Sequence, residues 1–144
     1  MNNQTSNIGF IGAGNMATAI ISGLIQKNFL NSEIFVSSPE KEHLDRLKND
    51  FSINVTEDNK EVVNSTATLI LAVKPNVIQI VLEELKSVIS DKKQLIISIV
   101  AGCKMSSIES QLEDQIRIVR VMPNTPASIG LGVSALTANN LATE

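Results

Sequence analysis

The run Ile8-Gly9-Phe10-Ile11-Gly12-Ala13-Gly14-Asn15-Met16-Ala17 decides the fold. Its first four residues are apolar and uncharged, the composition of a strand buried on both faces. Behind it, Met16, Ile20 and Leu24, with Ala17, Ile21 and Ile25 beside them, recur at four-residue spacing and predict an amphipathic helix. Between the two lies Gly12-x-Gly14-x-x-Ala17, a glycine pattern that carries meaning only after a strand and at the opening of a helix. Gly12 permits a tight turn, Gly14 lets the backbone approach a pyrophosphate, and Ala17 allows the helix to pack closely on the strand. Ala13, Asn15 and Met16 complete the loop, where a helix start offers N–H groups and a positive dipole end to an anion. The alternative is a plain strand-to-helix turn with no ligand.

The alternation continues along the chain. Ile34-Phe35-Val36 predicts a second strand, and Ser38-Pro39 an N-cap and first-turn proline for a helix over 40–49. Ile53-Asn54-Val55 predicts a third strand, then Asp58 and Glu61 have capping-box spacing. Leu69–Val73 shows no polar alternation and predicts a fully buried strand, after which Val77, Val81 and Leu85 share one helical face. Leu95–Val100 and Ile116–Val121 predict the fifth and sixth strands, with a helix between them capped by Ser106 and Glu109. Strands alternating with helices at this spacing mean βαβ units and an α/β fold with a parallel sheet covered on both faces. Right-handed crossovers and the placement of the glycine motif give a doubly wound, Rossmann-type sheet of order 3-2-1-4-5-6, with room for an extra strand at the C-terminal edge. Without repeats or linker-like stretches, residues 1–144 are expected to form one nucleotide-binding domain.

Composition removes several function classes. The chain has 144 residues, 43% apolar and 19% charged, enough to bury a core and unlike a disordered chain. Lys and Arg number 12 against 15 Asp and Glu, a net charge of −3, and there is no Tyr, no Trp and only four Phe. Such a chain lacks both the basic footprint and the stacking platforms of a nucleic-acid binder. A single Cys (Cys103) cannot form an internal disulfide, and one His (His43) beside it makes a His/Cys metal site improbable. No run approaches the roughly 18–20 apolar residues of a membrane span. No Lys or Arg precedes Lys27, as a signal peptide would require. A cytoplasmic location is the expectation.

The chemistry is expected at the carboxyl ends of the strands, where open α/β sheets bind ligands. NAD-preferring folds place a carboxylate at the tip of the second strand, roughly 20 residues after the glycines, to hold the ribose 2′-hydroxyl. Here Ser37-Ser38-Pro39 stands at that tip, with no carboxylate before Glu40. Two hydroxyls and a helix start accept a 2′-phosphate without charge repulsion, which favours NADP, with NAD as the alternative; the other reading of Ser38 is an N-cap alone, and the two roles can coexist because N–H groups gather at an N-cap. Ala72-Val73-Lys74-Pro75 ends the fourth strand, where Lys74 either steadies a ribose or phosphate or is merely solvated. Ala101 and Gly102 follow the fifth strand and leave room for a flat nicotinamide, or form an ordinary turn. Met122-Pro123-Asn124-Thr125-Pro126 follows the sixth, a stiff polar loop suited to holding hydrogen-bonding groups still, or a rigid surface turn. No catalytic acid, base or nucleophile is assigned, and the acidic residues on helices read as solvated faces.

Together, Gly9–Ala17, Ala72-Val73-Lys74-Pro75 and Arg120-Val121-Met122-Pro123-Asn124-Thr125-Pro126-Ala127 resemble pyrroline-5-carboxylate reductases in order and spacing, over essentially the whole chain. Neighbouring β-hydroxyacid dehydrogenases share the glycine loop but not the other two blocks. The resemblance implies NAD(P)H-dependent reduction of the C5=N bond of 1-pyrroline-5-carboxylate to L-proline, in a homo-oligomeric enzyme. It places Ala13, Asn15 and Met16 at the pyrophosphate, and Ser38, Pro39 and Asn59 on the adenosine side. Val73, Lys74 and Ala101 fall on the nicotinamide half, with Met122, Pro123 and Asn124 beside the ring. Family members continue into a helical domain that dimerises and holds the substrate carboxylate, whereas this sequence stops at Leu141-Ala142-Thr143-Glu144. The expectation is therefore a chain that binds cofactor, turns over poorly alone and exposes apolar surface around Leu131–Leu136. Alternatives are another imine or β-hydroxyacid reductase of the same superfamily, or a non-catalytic NADP-binding module.

Overall fold

The computed structural model describes residues 7–89, 94–112, 116–122 and 135–138. In chain order the elements are β1 (Ile8–Ile11), α1 (Asn15–Gln26), β2 (Ile34–Ser37), α2 (Lys41–Phe51), β3 (Asn54–Thr56), α3 (Asn59–Ser65), β4 (Thr68–Leu71), α4 (Ile78–Leu85), β5 (Leu95–Ser98), α5 (Met105–Leu112), β6 (Arg117–Met122) and β7 (Ala135–Ala138). The strands form one seven-stranded sheet in the order β3-β2-β1-β4-β5-β6-β7. All neighbours through β6 are parallel, and β7 joins β6 antiparallel at the edge. The expected doubly wound order is found, and the extra edge strand with it.

Because successive side chains point to opposite faces, the apolar runs of β1 and β4 feed two cores at once. On one face, Ile11, Leu69, Leu71, Ile96 and Ile118 pack under Val62 and Val63 of α3, Ile78, Val81 and Leu85 of α4, and Ile108 and Leu112 of α5. On the other, Phe10, Ile34, Val36 and Ile70 meet Ala17 and Ile21 of α1 and Leu44 and Leu47 of α2. Burying each such side chain contributes about 1.5–3 kcal/mol. Gly9 is what lets α3 settle on β1, since a Cβ there would lie 2.5 Å from Val62 Cγ1 and 2.8 Å from Thr66 Oγ1. Gln94, buried ahead of β5, donates from Nε2 to the carbonyls of Val63 (2.8 Å) and Thr66 (2.9 Å) and so closes the end of α3.

Side-chain bonds move several boundaries from their expected places. Ser38 does not cap α2, which starts at Lys41 with Glu40 as its N-cap; Ser38 Oγ accepts the Glu40 N–H (3.1 Å) in a local turn around Pro39. Asp58 caps α3 by accepting the Lys60 N–H, but Glu61 does not reach back to the backbone. Its carboxylate accepts from Thr56 Oγ1 at 2.7 Å, and that hydroxyl accepts the Asp58 N–H at 3.1 Å, so Thr56 closes the box. Ser106 lies inside α5 rather than at its cap, because the helix opens at Met105 with its first turn bonded to the Lys104 carbonyl, two residues before Ser106. β4 and β5 end at Leu71 and Ser98, short of the apolar residues that follow them.

Candidate functional site

Ile11, Ser37, Leu71 and Ser98 are aligned across β2, β1, β4 and β5, so these four strands end together. Beyond the last rung, Gly12 N–H donates to the Ser37 carbonyl (2.9 Å), Ala72 N–H to Ile11 (2.8 Å) and Ile99 N–H to Leu71 (3.0 Å). The edge thus collects the glycine turn, the Ser37-Ser38 tip and the Ala72-Val73 tip within a few ångströms. Gly12 has φ +109, and a Cβ there would stand 2.6 Å from the Ala72 carbonyl oxygen and 3.1 Å from Val73 N. Only glycine turns here while its neighbour strand ends against it.

Gly14 is the N-cap of α1, and a Cβ built on it meets nothing within 4 Å. Neither a side-chain cap nor an acidic residue serves the first turn of this twelve-residue helix. The leading N–H groups of a helix have no partner within it and carry the positive end of its dipole, and with no side-chain cap here they suit a pyrophosphate. Ala13 and Ala17 are buried and seat the helix on the sheet, while Asn15 is exposed and Met16 half-buried. A cleft of about 620 Å³ begins at Asn15 and Met16 and runs along α1 towards Arg46 and Phe51.

At the tip of β2, where the sequence places the adenosine end, the two serines make different bonds. Ser37 is fully buried and its hydroxyl donates to Asn59 Oδ1 at 2.6 Å, so it reaches the site through Asn59 rather than with a free hydrogen. Ser38, 4% exposed, holds its N–H on the Thr56 carbonyl (3.2 Å). Its oxygen takes the Glu40 N–H, which leaves the hydroxyl hydrogen to give. The nearby acids are turned elsewhere: the Glu40 carboxylate takes the His43 Nε2 contact at 3.2 Å, and Asp58 and Glu61 are held in the capping network. Asn59 Nδ2 donates to Glu84 Oε2 on α4 at 3.1 Å. Glu84 had no signal in the sequence, being one acid among many on helices.

At the other end, Val73 is half-buried, and Lys74 and Pro75 are exposed, with the Lys74 carbonyl accepting the Val77 N–H. Ala101 and Gly102 are exposed in the turn after β5, with Gly102 at φ +71. Met122 is 44% exposed at the end of β6; Pro123 and Asn124 lie outside the described residues, as does most of 131–136. Burial pushes the thiol of Cys103, beside this turn, up from its ordinary range, against the opposing pull of the Arg120 guanidinium. Among the described residues no group of three or more His, Cys, Asp and Glu is placed to hold a metal, and no helix is long and apolar enough to cross a membrane.

Residues 7–102 match the family model described as NADP oxidoreductase, coenzyme F420-dependent. The chain belongs to that family. Among relatives, the pyrroline-5-carboxylate reductase of Vibrio alginolyticus is 39% identical over 135 residues, 94% of this chain and 49% of that protein. The structure of a pyrroline-5-carboxylate reductase from Coxiella burnetii superposes with a TM-score of 0.94 at 41% identity, covering 97% of this chain and 52% of that one. The Plasmodium falciparum pyrroline carboxylate reductase, solved with NADP bound, gives 0.81 at 28% identity over 96% and 50%. The chain spans about half the length of the curated relatives it matches. The family is NADP-dependent, and the open α1 start with its carboxylate-free β2 tip fits that cofactor.

Proposed function

We propose that this chain is the cofactor-binding half of a pyrroline-5-carboxylate reductase, a single nucleotide-binding domain taking NADP(H) in preference to NAD(H) along the carboxyl edge of its sheet. The observation that carries the reading is the 39% identity to a reductase of that name over 94% of the chain. The glycine turn and the serine-tipped β2 support the cofactor choice.

When bound, the reduced cofactor supplies a hydride to C5 of 1-pyrroline-5-carboxylate, whose C=N bond gains that hydride and one proton to give L-proline. The leading N–H groups of α1, behind Gly14, bind the pyrophosphate. Ser38 offers a hydroxyl hydrogen, and Asn59 an amide, to the adenosine ribose and its 2′-phosphate. Val73, Lys74, Ala101 and Gly102 border the nicotinamide end, with Met122, Pro123 and Asn124 continuing it by resemblance. No described residue is assigned a proton transfer, which agrees with an imine that arrives protonated. Holding reactants in place supplies about 7–11 kcal/mol of a barrier. The substrate carboxylate therefore needs a clamp, and self-association of copies in the cytoplasm is part of the reading. The test is cofactor oxidation followed by absorbance, with L-proline measured as product, using NADPH and NADH in turn. NADPH-dependent proline formation supports the proposal. Tight NADPH binding with no proline formed, alone or with the carboxyl half of a relative added, refutes the substrate assignment.

A further inference from the structure

Asn59 is the first residue of α3, and its side-chain amide links three elements. Oδ1 accepts from the Ser37 hydroxyl of β2 at 2.6 Å, and Nδ2 donates to Glu84 Oε2 of α4 at 3.1 Å. An asparagine amide turned by half a rotation exchanges its oxygen and nitrogen with almost no change of shape. Ser37 does not choose between the two orientations, since a hydroxyl donates as readily as it accepts. Glu84 does. An ionised carboxylate only accepts, so the nitrogen must face it, the oxygen must face Ser37, and the Ser37 hydrogen is spent on that oxygen. The whole chain of bonds takes its direction from one charge on α4.

We propose that Glu84 is a positioning residue for the adenosine end of the cofactor, acting through Asn59, which it locks with one N–H on Glu84 and the other left for the ligand. This rests on the reading that NADP(H) binds at this edge. Glu84 itself is exposed, and Asn59 stands between its carboxylate and Ser37, so the charge orients the site from behind a neutral amide. Without it, Asn59 divides its time between two orientations, only one of which presents a donor in the same place.

The experiment is calorimetric titration of the full chain with NADPH, for the unmodified protein, Glu84→Ala, Asn59→Ala and the double variant, with thermal unfolding alongside. Nitrogen-15 spectra of the ligand-free chain add a readout that does not depend on binding. Glu84→Ala is expected to weaken NADPH binding by roughly tenfold, the scale of one oriented hydrogen bond, without lowering the unfolding midpoint. In the Asn59→Ala background the same change should cost little. The Asn59 side-chain NH2 pair should shift in ligand-free Glu84→Ala, and Glu84→Gln, which offers both an oxygen and a nitrogen, should restore only part of the affinity. NADPH binding that Glu84→Ala leaves unchanged or tightens, or a loss as large without Asn59 as with it, overturns the role of Glu84 and leaves the cofactor reading standing. An unmodified chain that binds no NADPH overturns the cofactor reading, and the proposal with it.

Discussion

Replacing Gly12 by alanine separates what the glycine turn does for the fold from what it does for the ligand. At φ +109 any side chain is strained, at about 1–3 kcal/mol. The new Cβ would also lie 2.6 Å from the oxygen and 2.8 Å from the carbon of the Ala72 carbonyl, both backbone atoms at the end of a central strand. Relief means moving β1 against β4, and overpacking of this kind costs about 1–3 kcal/mol more. The sum, about 2–6 kcal/mol, is a large part of the about 5–15 kcal/mol that holds a domain together. Each kcal/mol lowers the unfolding midpoint of a domain this size by roughly 4 °C, so Gly12→Ala should melt at least roughly 8 °C below the parent by circular dichroism. Gly14→Val is the contrast. Its φ of −80 is ordinary and nothing lies within 4 Å of its Cβ, so the melting midpoint should stay close to the parent's. NADPH binding should be lost, because the side chain fills the space in front of α1. A Gly12→Ala protein as stable as the parent, or a Gly14→Val protein that binds NADPH normally, would refute this division of roles.

Ser38→Asp sets a fixed charge at the buried tip beside β2 and should cost about 2–3 kcal/mol of NADPH affinity through like-charge repulsion, with NADH much less affected; paired titrations at one salt concentration check it. Gln94→Ala strips the Val63 and Thr66 carbonyls of their shared donor and should cost about 2–3 kcal/mol in denaturant unfolding, while NADPH affinity stays unchanged, since Gln94 precedes β5 at the opposite edge of the sheet. The raised pKa of Cys103 means the folded chain holds the thiol proton more tightly than the unfolded chain does. Its contribution to stability is therefore full below the unfolded thiol's pKa and is lost as pH rises through the folded one. Unfolding titrations across that alkaline range should show a falling stability that is shallower in Cys103→Ala.

Strands, helices and their order were legible because they depend on patterns a single chain carries: uninterrupted apolar runs such as Leu69–Leu71 and four-residue spacing such as Ala17 and Ile21. The glycine turn was legible for the same reason, because the strand before it and the helix after it give Gly12 and Gly14 their context. Boundaries were less so. Ser38 and Thr56 each carry a side chain able to bond the local backbone in more than one way, and their partners chose among them: the Thr56 carbonyl drew in the Ser38 N–H, and the Thr56 hydroxyl took the place of a backbone partner for Glu61. Gly9 looked like one more apolar strand position, although its missing side chain is what admits Val62.

The tip of β2, proposed above to hold the adenosine end, shows why a site can be half legible. The missing carboxylate at the tip of β2 is a local fact and argues for a 2′-phosphate wherever the sheet goes. Which hydroxyl serves it is not local. Ser37 and Ser38 are adjacent and chemically identical, yet Ser37 is the last residue of β2 and Ser38 the first beyond it, and their hydroxyls meet different partners. Ser37 is sealed under Asn59 and spends its hydrogen there, while Ser38 keeps its own to give. That difference depends on Asn59, 22 residues from Ser37, and on Glu84, 25 residues further on, meeting across α3 and α4. An acid does stand behind this site after all, but a neutral amide separates it from the strand tip. A negative charge can then set the direction of the hydrogen bonds without standing where a 2′-phosphate would have to go.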